Sequence, residues 1–471
     1  MEQLEVVVVG AGIGGLASAL SMARAGHRVT LIERDDTPMP PDPESAFDWD
    51  RKGAPQVRHP HVFLGLARVL LRDRFPDVLD QLSELGVVPN RLRSDQGPQL
   101  DEETVRLIEA DDDLRMLPCR RTTFEWVMRR TVLAEQGVTL RLGEGVAGVE
   151  VRDDGDGPPV VTGVRLEDGT VLRSDLVVAT TGRRGDVPAW LAEHGIEIPE
   201  TASDSGVVYF SRFYRSPHDE GFGFRGGFGA GLIAGVIGSE AGTFSITAVV
   251  DKDDKELRAH LSDSDRFDAT MRLLPELADV AAAGGTPMHP VHCMTGLLNR
   301  TRSYIAPDGT PRVVGLLACG DAHTCTNPAY GRGQALALRM ATLVADAIAE
   351  HDDLVSAAQA YESACDEQVV PWYHFSVLTD QMRAAAVAQS GQRASAVAAA
   401  ASDPFASLFG GGASPETVVL VLRVLNLLEL PTALLARLPE LQASAATPPT
   451  PLQQGPPVRR PSRDELLAVV A

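Results

Sequence analysis

The chain has 471 residues, more than the roughly 250–300 over which one hydrophobic core keeps growing, so two or more packed units are expected. Hydrophobic residues make up 44%, enough for a large core, and the formal net charge is −21, from Asp+Glu 64 against Lys+Arg 43. That balance argues against nucleic acid or an anionic membrane as a partner, because both would repel the protein.

Residues 4–9 are an apolar, β-branched run that meets Gly-x-Gly-x-x-Gly at Gly10, Gly12 and Gly15; a helical stretch follows, and a second apolar run ends in Glu33 and Arg34. This is the pattern of a strand–helix–strand unit that holds a dinucleotide. Gly10 permits the tight turn, Gly12 lets the backbone approach a pyrophosphate, and Gly15 lets helix and strand pack closely. The helix start, through Ala11, Ile13 and Gly14, offers N–H groups to phosphates, and Glu33 is placed to accept from a ribose hydroxyl. Taken alone, the motif leaves NAD and FAD open. The run has no basic leader, so it does not read as a signal peptide, and no apolar span approaches the roughly 20 residues of a transmembrane helix. A soluble, cytoplasmic protein is expected.

Prolines 38, 40, 41 and 43 open an irregular stretch, and Asp50–Phe63 then gathers Arg51, Lys52, Arg58, His59 and His61 in an otherwise acidic chain. A basic loop beside a pyrophosphate is a plausible anion contact; a charged surface loop is the plainer alternative. His59-x-His61 lacks an acid or cysteine at ligand spacing, so no metal site is indicated. Residues 64–85 read as helix broken at Pro76, and 91–117 as short strands. A helix opens after Cys119, with Thr122 or Thr123 as its cap and Glu125 in its first turn. Arg121 lies just ahead of it, able to reach a phosphate or to pair with an acid.

Strands are expected at 138–142, 146–151, 160–166 and 170–173, and Ser174–Arg183 reads as a buried parallel strand ending in a glycine turn, where ligands sit in open α/β sheets. Residues 205–250 read as a second sheet, with Tyr209, Phe210, Phe213, Phe222, Phe224 and Phe228 concentrating aromatics, which are 5% of the chain overall. They fill a core or wall an apolar pocket; their number together favours the pocket. A second anchor runs from Leu316 to Leu336: a buried strand ends at Gly320-Asp321, a loop carries Asn327-Pro328, and Gly331-x-Gly333 opens a helix reaching about His351. Asp321 can accept from sugar or polyol hydroxyls, and the helix start can stabilise an anion. Residues beyond Tyr361 read as helical, and 443–462, rich in Ala, Pro and Thr, as a mobile tail or linker. Cys119, Cys293, Cys319, Cys325 and Cys365 form no Cys-x-x-Cys, so reduced thiols are expected.

Gly10-x-Gly12-x-x-Gly15 with Glu33-Arg34, Arg51-Lys52-Gly53-x-Pro55-Gln56-x-x-His59-x-His61, Arg121 before its helix, Thr181-Gly182-Arg183, Ser205-Gly206-x-Val208-Tyr209, and Gly320-Asp321 with Asn327-Pro328-x-Tyr330-Gly331-x-Gly333 together carry a resemblance. The sequence resembles the flavin-dependent monooxygenases of the p-hydroxybenzoate hydroxylase fold, and more closely the branch containing polyether epoxidases of polyketide pathways. The resemblance implies an α/β fold: an FAD-binding Rossmann-type parallel sheet, an interleaved antiparallel-sheet substrate domain and a helical C-terminal region. FAD binding would take 1–75, 119–185 and 296–352, the substrate domain 76–118 and 186–295, the helical region 353–442 and the tail 443–471. It implies an FAD site drawn from Gly10 to Gly15, Glu33, Arg34, Arg51, Lys52, Gln56, Arg121, Val146, Thr181, Gly182, Gly320, Asp321, Pro328, Gly331, Arg332, Gly333 and Gln334. In it Glu33 would hold the adenosine ribose, Arg121 would approach the flavin's polar side, Asp321 would bind the ribityl chain, and the loop from Pro328 to Gln334 would face the pyrimidine end. Substrate contacts would come from Tyr209, Phe213, Phe222, Phe224 and Phe228.

The activity implied is insertion of one oxygen from O2, through a flavin C4a-hydroperoxide, into an apolar, polyketide-like substrate by epoxidation or hydroxylation. No catalytic side chain is nominated. Ala179 stands where the family usually has Asp, and Arg183-Arg184-Gly185-Asp186 matches loosely the segment tied to FAD and NADPH contacts. Electrons would therefore come from NAD(P)H either directly or through a separate flavin reductase. A dehydrogenase or alkene reductase on the same cofactor is the alternative, and a non-catalytic flavoprotein a third. Halogenation is disfavoured, because no Trp-x-Trp-x-Ile-Pro segment is present.

Overall fold

The structure, a computed structural model, describes residues 2–91, 100–155, 157–217, 225–229, 231–278, 280, 283–389, 413–446 and 459–469. Its centre is a five-stranded parallel sheet in the order Leu316–Ala318, Leu176–Ala179, Glu5–Val9, Arg28–Glu33, Val138–Leu142. The unbroken valine run of the first strand follows from burial on both faces, as parallel sheets require. Val6 and Val8 enter the core shared with the Ile13–Arg24 and Arg332–Glu350 helices, whereas Val7 and Val9 pack on the other side with Val149, Val161 and Trp190.

The second layer is a six-stranded antiparallel sheet, in which Val207–Arg215, Thr243–Asp251, Leu232–Ser239 and Arg225–Gly229 pair in sequence. Side chains alternate across it. Phe210, Leu232, Ala234, Val236 and Ala248 pack against the Lys255–Leu261 and Ser264–Leu273 helices. The expected aromatic group is therefore divided: Phe210 belongs to this helix-covered core, while Tyr209 and Phe213 are on the opposite face. Phe222 and Phe224 lie outside the described residues, and Phe228 is paired with Ile233.

Two local expectations change. Among the described residues between 91 and 117 the chain forms a helix at Glu102–Ala110 where strands were expected, with strand pairing confined to Met116 and Leu117, while 92–99 lie outside the described residues. Asp101 caps it by accepting from Thr104 N–H at 2.9 Å, and Glu102 and Glu103 complement its dipole. The helix at Arg121–Ala134 has Arg120 at its N-cap, without a side-chain cap, and Thr123 instead donates to Glu240. The C-terminal region adds helices at Leu354–Gln368, Val370–Gln389 and Pro415–Leu425. The expected tail is partly anchored: in the Arg463–Leu467 helix Leu466 is buried on the antiparallel sheet's helices and Arg463 pairs with Asp254 at 2.6 Å, while 447–458 lie outside the described residues. Among the described residues no helix is long and apolar enough to cross a membrane.

Candidate functional site

The first glycine-led helix starts at the carboxyl end of the parallel strand Glu5–Val9, and Gly320 follows the parallel strand Leu316–Ala318, the end of such strands being where ligands bind in open α/β sheets. The second glycine-led helix begins at Arg332, after the Pro328–Tyr330 turn. The two helices are brought side by side by small residues: a Cβ on Gly14 would sit 3.7 Å from Ala337 Cβ and 3.8 Å from Cys319 Sγ, and one on Gly320 3.5 Å from Ala337 Cβ. Two anchors some three hundred positions apart thus form one edge. Gly10 has φ +101°, and a Cβ there would meet the Thr180 carbonyl at 2.8 Å. Gly15 is tighter still, since its Cβ would lie 1.7 Å from the Gly10 carbonyl oxygen. Gly12 differs: it caps the first helix with φ −78° and ψ −174°, and nothing lies within 4 Å of a Cβ built there.

Beside this cradle is a buried charge cluster. Glu33 accepts from Ala11 N–H at 2.9 Å and Asp35 N–H at 3.0 Å, so its carboxylate first holds the turn it follows. Arg51, from the basic loop, is 3.7 Å from Glu33, 3.4 Å from Asp35 and paired with Glu125. Arg121 donates to Glu125 at 2.7 Å. Arg129 donates to the Ala11 carbonyl at 3.3 Å, and it and Arg51 each lie 4.9 Å from the Trp49 ring. Burial, reinforced by Arg51, lowers the Arg129 guanidinium to about 10. Asp35, Trp49, Glu125 and Arg129 were absent from the expected site. Arg121, Glu125 and Arg129 stand four apart on one helix face, and that spacing was the available signal. Arg34 is exposed, and Lys52 is exposed and 3.6 Å from Asp36, so neither points into the cluster. Gln56 lies half-buried in the Pro55–Arg58 turn, and Val146 begins the Val146–Arg152 strand against the second core.

At the other anchor, burial raises the Asp321 carboxyl against the pull of Arg121, Arg183 and Arg300, so the two anchors share one electrostatic environment. Gly331 takes the left-handed conformation at φ +65° and caps the Arg332–Glu350 helix. Pro328 is exposed, and a Cβ on Gly333 would be 3.9 Å from Asp321 Oδ1. The Arg332 side chain is sequestered: it lies over Tyr330, Phe375 and Trp372 at 4.4, 4.9 and 5.5 Å and donates to Ser376 Oγ at 2.5 Å. Its backbone N–H is what remains for a ligand.

The C-terminal helix holds this loop through Asp380, which had no sequence signal. Asp380 accepts from Asn299 Nδ2 and Asn327 Nδ2, both at 2.8 Å, and Asn327 Oδ1 accepts from Tyr209 OH at 2.9 Å. Asp380→Ala leaves two buried amide groups without an acceptor, a cost of about 2–4 kcal/mol. We expect FAD affinity to fall about tenfold or more, measured by fluorescence titration, with Asp380→Asn intermediate.

The His59-x-His61 pair lies at the sheet. His59 Nδ1 is 2.8 Å from Ser211 Oγ, and His61 Nδ1 is 2.8 Å from the His59 carbonyl. Burial, with His292 adding to it, lowers His59 to about 4, and burial likewise lowers His61, His289 and His292. The unfolded chain therefore takes up more protons than the folded one below the ordinary histidine value near 6.5, and stability falls as pH drops from there toward 4. Urea unfolding of His59→Gln should show a shallower decline over that interval.

Several polar groups around the cradle remain unspent. Both amide atoms of Gln334, Thr326 Oγ1, Thr181 Oγ1 and Nε of Arg129 are buried without a hydrogen-bond partner among the described residues. Gln334 and Thr326 belong to residues less than a tenth exposed. Buried donors and acceptors are costly when unpaired, and with the space over Gly12 they fit an extended ligand with phosphates at one end and a polar ring edge at the other. FAD has that distribution.

Residues 5–39 match the sequence family of FAD dependent oxidoreductases. The chain is 26% identical to Protein Rv3254 of Mycobacterium tuberculosis over 374 residues, 70% of each chain. A 76-residue stretch, 16% of this chain and 13% of the relative, is 65% identical to hydroxyneurosporene desaturase of Cereibacter sphaeroides. Among solved structures, PqsL of Pseudomonas aeruginosa, a probable FAD-dependent monooxygenase, superposes with a TM-score of 0.58 at 18% identity, over 83% of this chain and 96% of its own. The fold is that of this α/β class: parallel sheet, antiparallel sheet and helical C-terminal region.

Proposed function

We propose that this FAD-dependent oxidoreductase is a monooxygenase that inserts one oxygen atom of O2 into an apolar, secondary-metabolite-like substrate by epoxidation or hydroxylation. The observation that carries the reading is the Tyr209–Asn327 hydrogen bond: it fixes the antiparallel sheet against the loop leading into the second glycine helix. The sheet's half-open face, with Ile233, Thr247 and Val249, thereby begins beside that loop. The likeness to PqsL supports the class, while epoxidation rests on the sequence resemblance, because one fold serves many chemistries.

FAD supplies electron transfer and the activation of O2. The chain's own groups bind and orient. The first-helix N–H groups after Gly12 take the pyrophosphate, Glu33 the ribose, Asp321 the ribityl hydroxyls, and Gln334 with the helix start at Arg332 the pyrimidine edge. Phe213, Ile233 and Val249 exclude water from the substrate side. Electrons come from NAD(P)H, directly or through a separate flavin reductase.

The test supplies apolar alkenes and phenols, NADPH with and without a flavin reductase, and isotopically heavy O2, and weighs the products. A gain of one heavy oxygen is expected. Loss or gain of two hydrogens, with no label, would instead establish the dehydrogenase or reductase reading, which the short stretch shared with the desaturase favours.

A further inference from the structure

The half-open face of the antiparallel sheet carries a polar strip. Tyr209, Ser211 and Phe213 share that face of their strand, and their cross-strand partners Val249, Thr247 and Ser245 continue it. On the next strand Leu232, Ala234 and Val236 are buried, while Ile233, Gly235 and Ile237 are half-exposed, so this side is incompletely covered. At its middle Ser211 Oγ and Thr247 Oγ1 are 2.7 Å apart, and His59 Nδ1 reaches Ser211 Oγ at 2.8 Å. His59 is 6% exposed and Ser211 is fully buried, and His59 is held to Ser211 through Nδ1. His292, the partner of Ser211 on the other side, keeps Nε2 buried and without a hydrogen bond among the described residues.

The buried Nε2 of His292, left without a partner beside a paired serine and threonine, exceeds what a tie between loop and sheet requires. One Nδ1–Oγ hydrogen bond would suffice for that. The strip's position is also specific. Tyr209, which holds Asn327, precedes Ser211 by two residues, and same-face neighbours on a strand are about 7 Å apart. An oxygen held at Ser211 would leave carbon atoms of the same molecule extending back toward the Asn327–Gly331 loop.

We propose that His59, Ser211, Thr247 and His292 form a subsite that binds a hydroxyl or ketone oxygen of an otherwise apolar substrate. Ile233, Val249 and Phe213 take its carbon frame. The subsite rests on reading this face as the substrate wall, and it names a substrate class: an oxygenated, largely hydrocarbon molecule.

The probes are 2-naphthol and naphthalene, titrated against oxidised holoenzyme while the flavin absorbance is followed, so no turnover is needed. Wild type should bind 2-naphthol about tenfold or more tighter than naphthalene. Ser211→Ala and the isosteric Thr247→Val should each reduce that preference about threefold or more, with naphthalene affinity and FAD content unchanged. Equal binding of the two probes by wild type, no binding of either, an undiminished preference in both variants, or loss of FAD from both would overturn the subsite. Because heavy-oxygen incorporation is read separately, preserved discrimination without label in the product would sink the monooxygenase reading and leave the subsite standing.

Discussion

Gly12→Val is expected to give a folded, colourless protein. Its backbone at φ −78° and ψ −174° is open to any L-residue, and the added Cβ meets no protein atom within 4 Å. The isopropyl group instead occupies the space over the first helix turn, where a pyrophosphate must approach the N–H groups directly. Far-ultraviolet dichroism and the urea midpoint should match those of FAD-stripped wild type, the proper reference because bound cofactor itself raises stability. Flavin absorbance should be missing from the purified protein. A normal flavin spectrum would remove the cofactor from this cradle. Gly15→Ala is the complementary control: with its Cβ 1.7 Å from the Gly10 oxygen, backbone must move, and a loss of about 3 kcal/mol or more is expected. One glycine is needed for the ligand and the other for the fold.

Glu125→Ala should be among the most destabilising single substitutions in the chain. The carboxylate is fully buried, pairs with Arg51 and Arg121, and feels Arg129 as well. Burial alone would raise it, but the three guanidinium groups outweigh that and hold it below its ordinary value near 4.5. Removing it takes the shared carboxylate from Arg51, Arg121 and Arg129, leaving Glu33 and Asp35 to Arg51 and Arg129 and Asp321 to Arg121, and breaking such a pair costs about 3–5 kcal/mol. Urea unfolding of the FAD-free protein should show this directly. The sign of the pH dependence gives a second reading. Because the folded value is depressed, the contribution is complete above about 4.5 and is lost as pH falls through the folded value. Glu125→Gln, which keeps the shape, should lose stability at neutral pH and show a weaker further decline in acid. A Glu125→Ala loss below about 1 kcal/mol would mean that the cluster does not depend on this carboxylate.

Much of the fold was legible because its signals are local. The β-branched run at residues 5–9 requires burial on two faces, and Gly10 and Gly331 mark positive φ, which any turn of that geometry demands of its own residue. Glu33 also lay where the pattern put it, at the end of the second strand. The Glu102–Ala110 helix was misread because Val105-Arg106-Leu107 alternates as a strand does, and the deciding feature was the Asp101 cap. Arg332 lay in the expected loop, but its side chain was recruited by three aromatics, two of them from the C-terminal helix.

The sequence by itself determined that a dinucleotide-type cradle begins the chain and that a second glycine-led helix start lies near residue 331, since backbone conformation and strand burial write their requirements into neighbouring residues. Only the tertiary structure decided that these two helix starts share one edge, through Gly14, Gly320 and Ala337, and that Asp380 steadies the second loop. The same holds for the polar strip of His59, Ser211 and Thr247, whose members come from three separate segments. A contact between distant segments depends on where packing places them, so it leaves no period or spacing in the chain to be read.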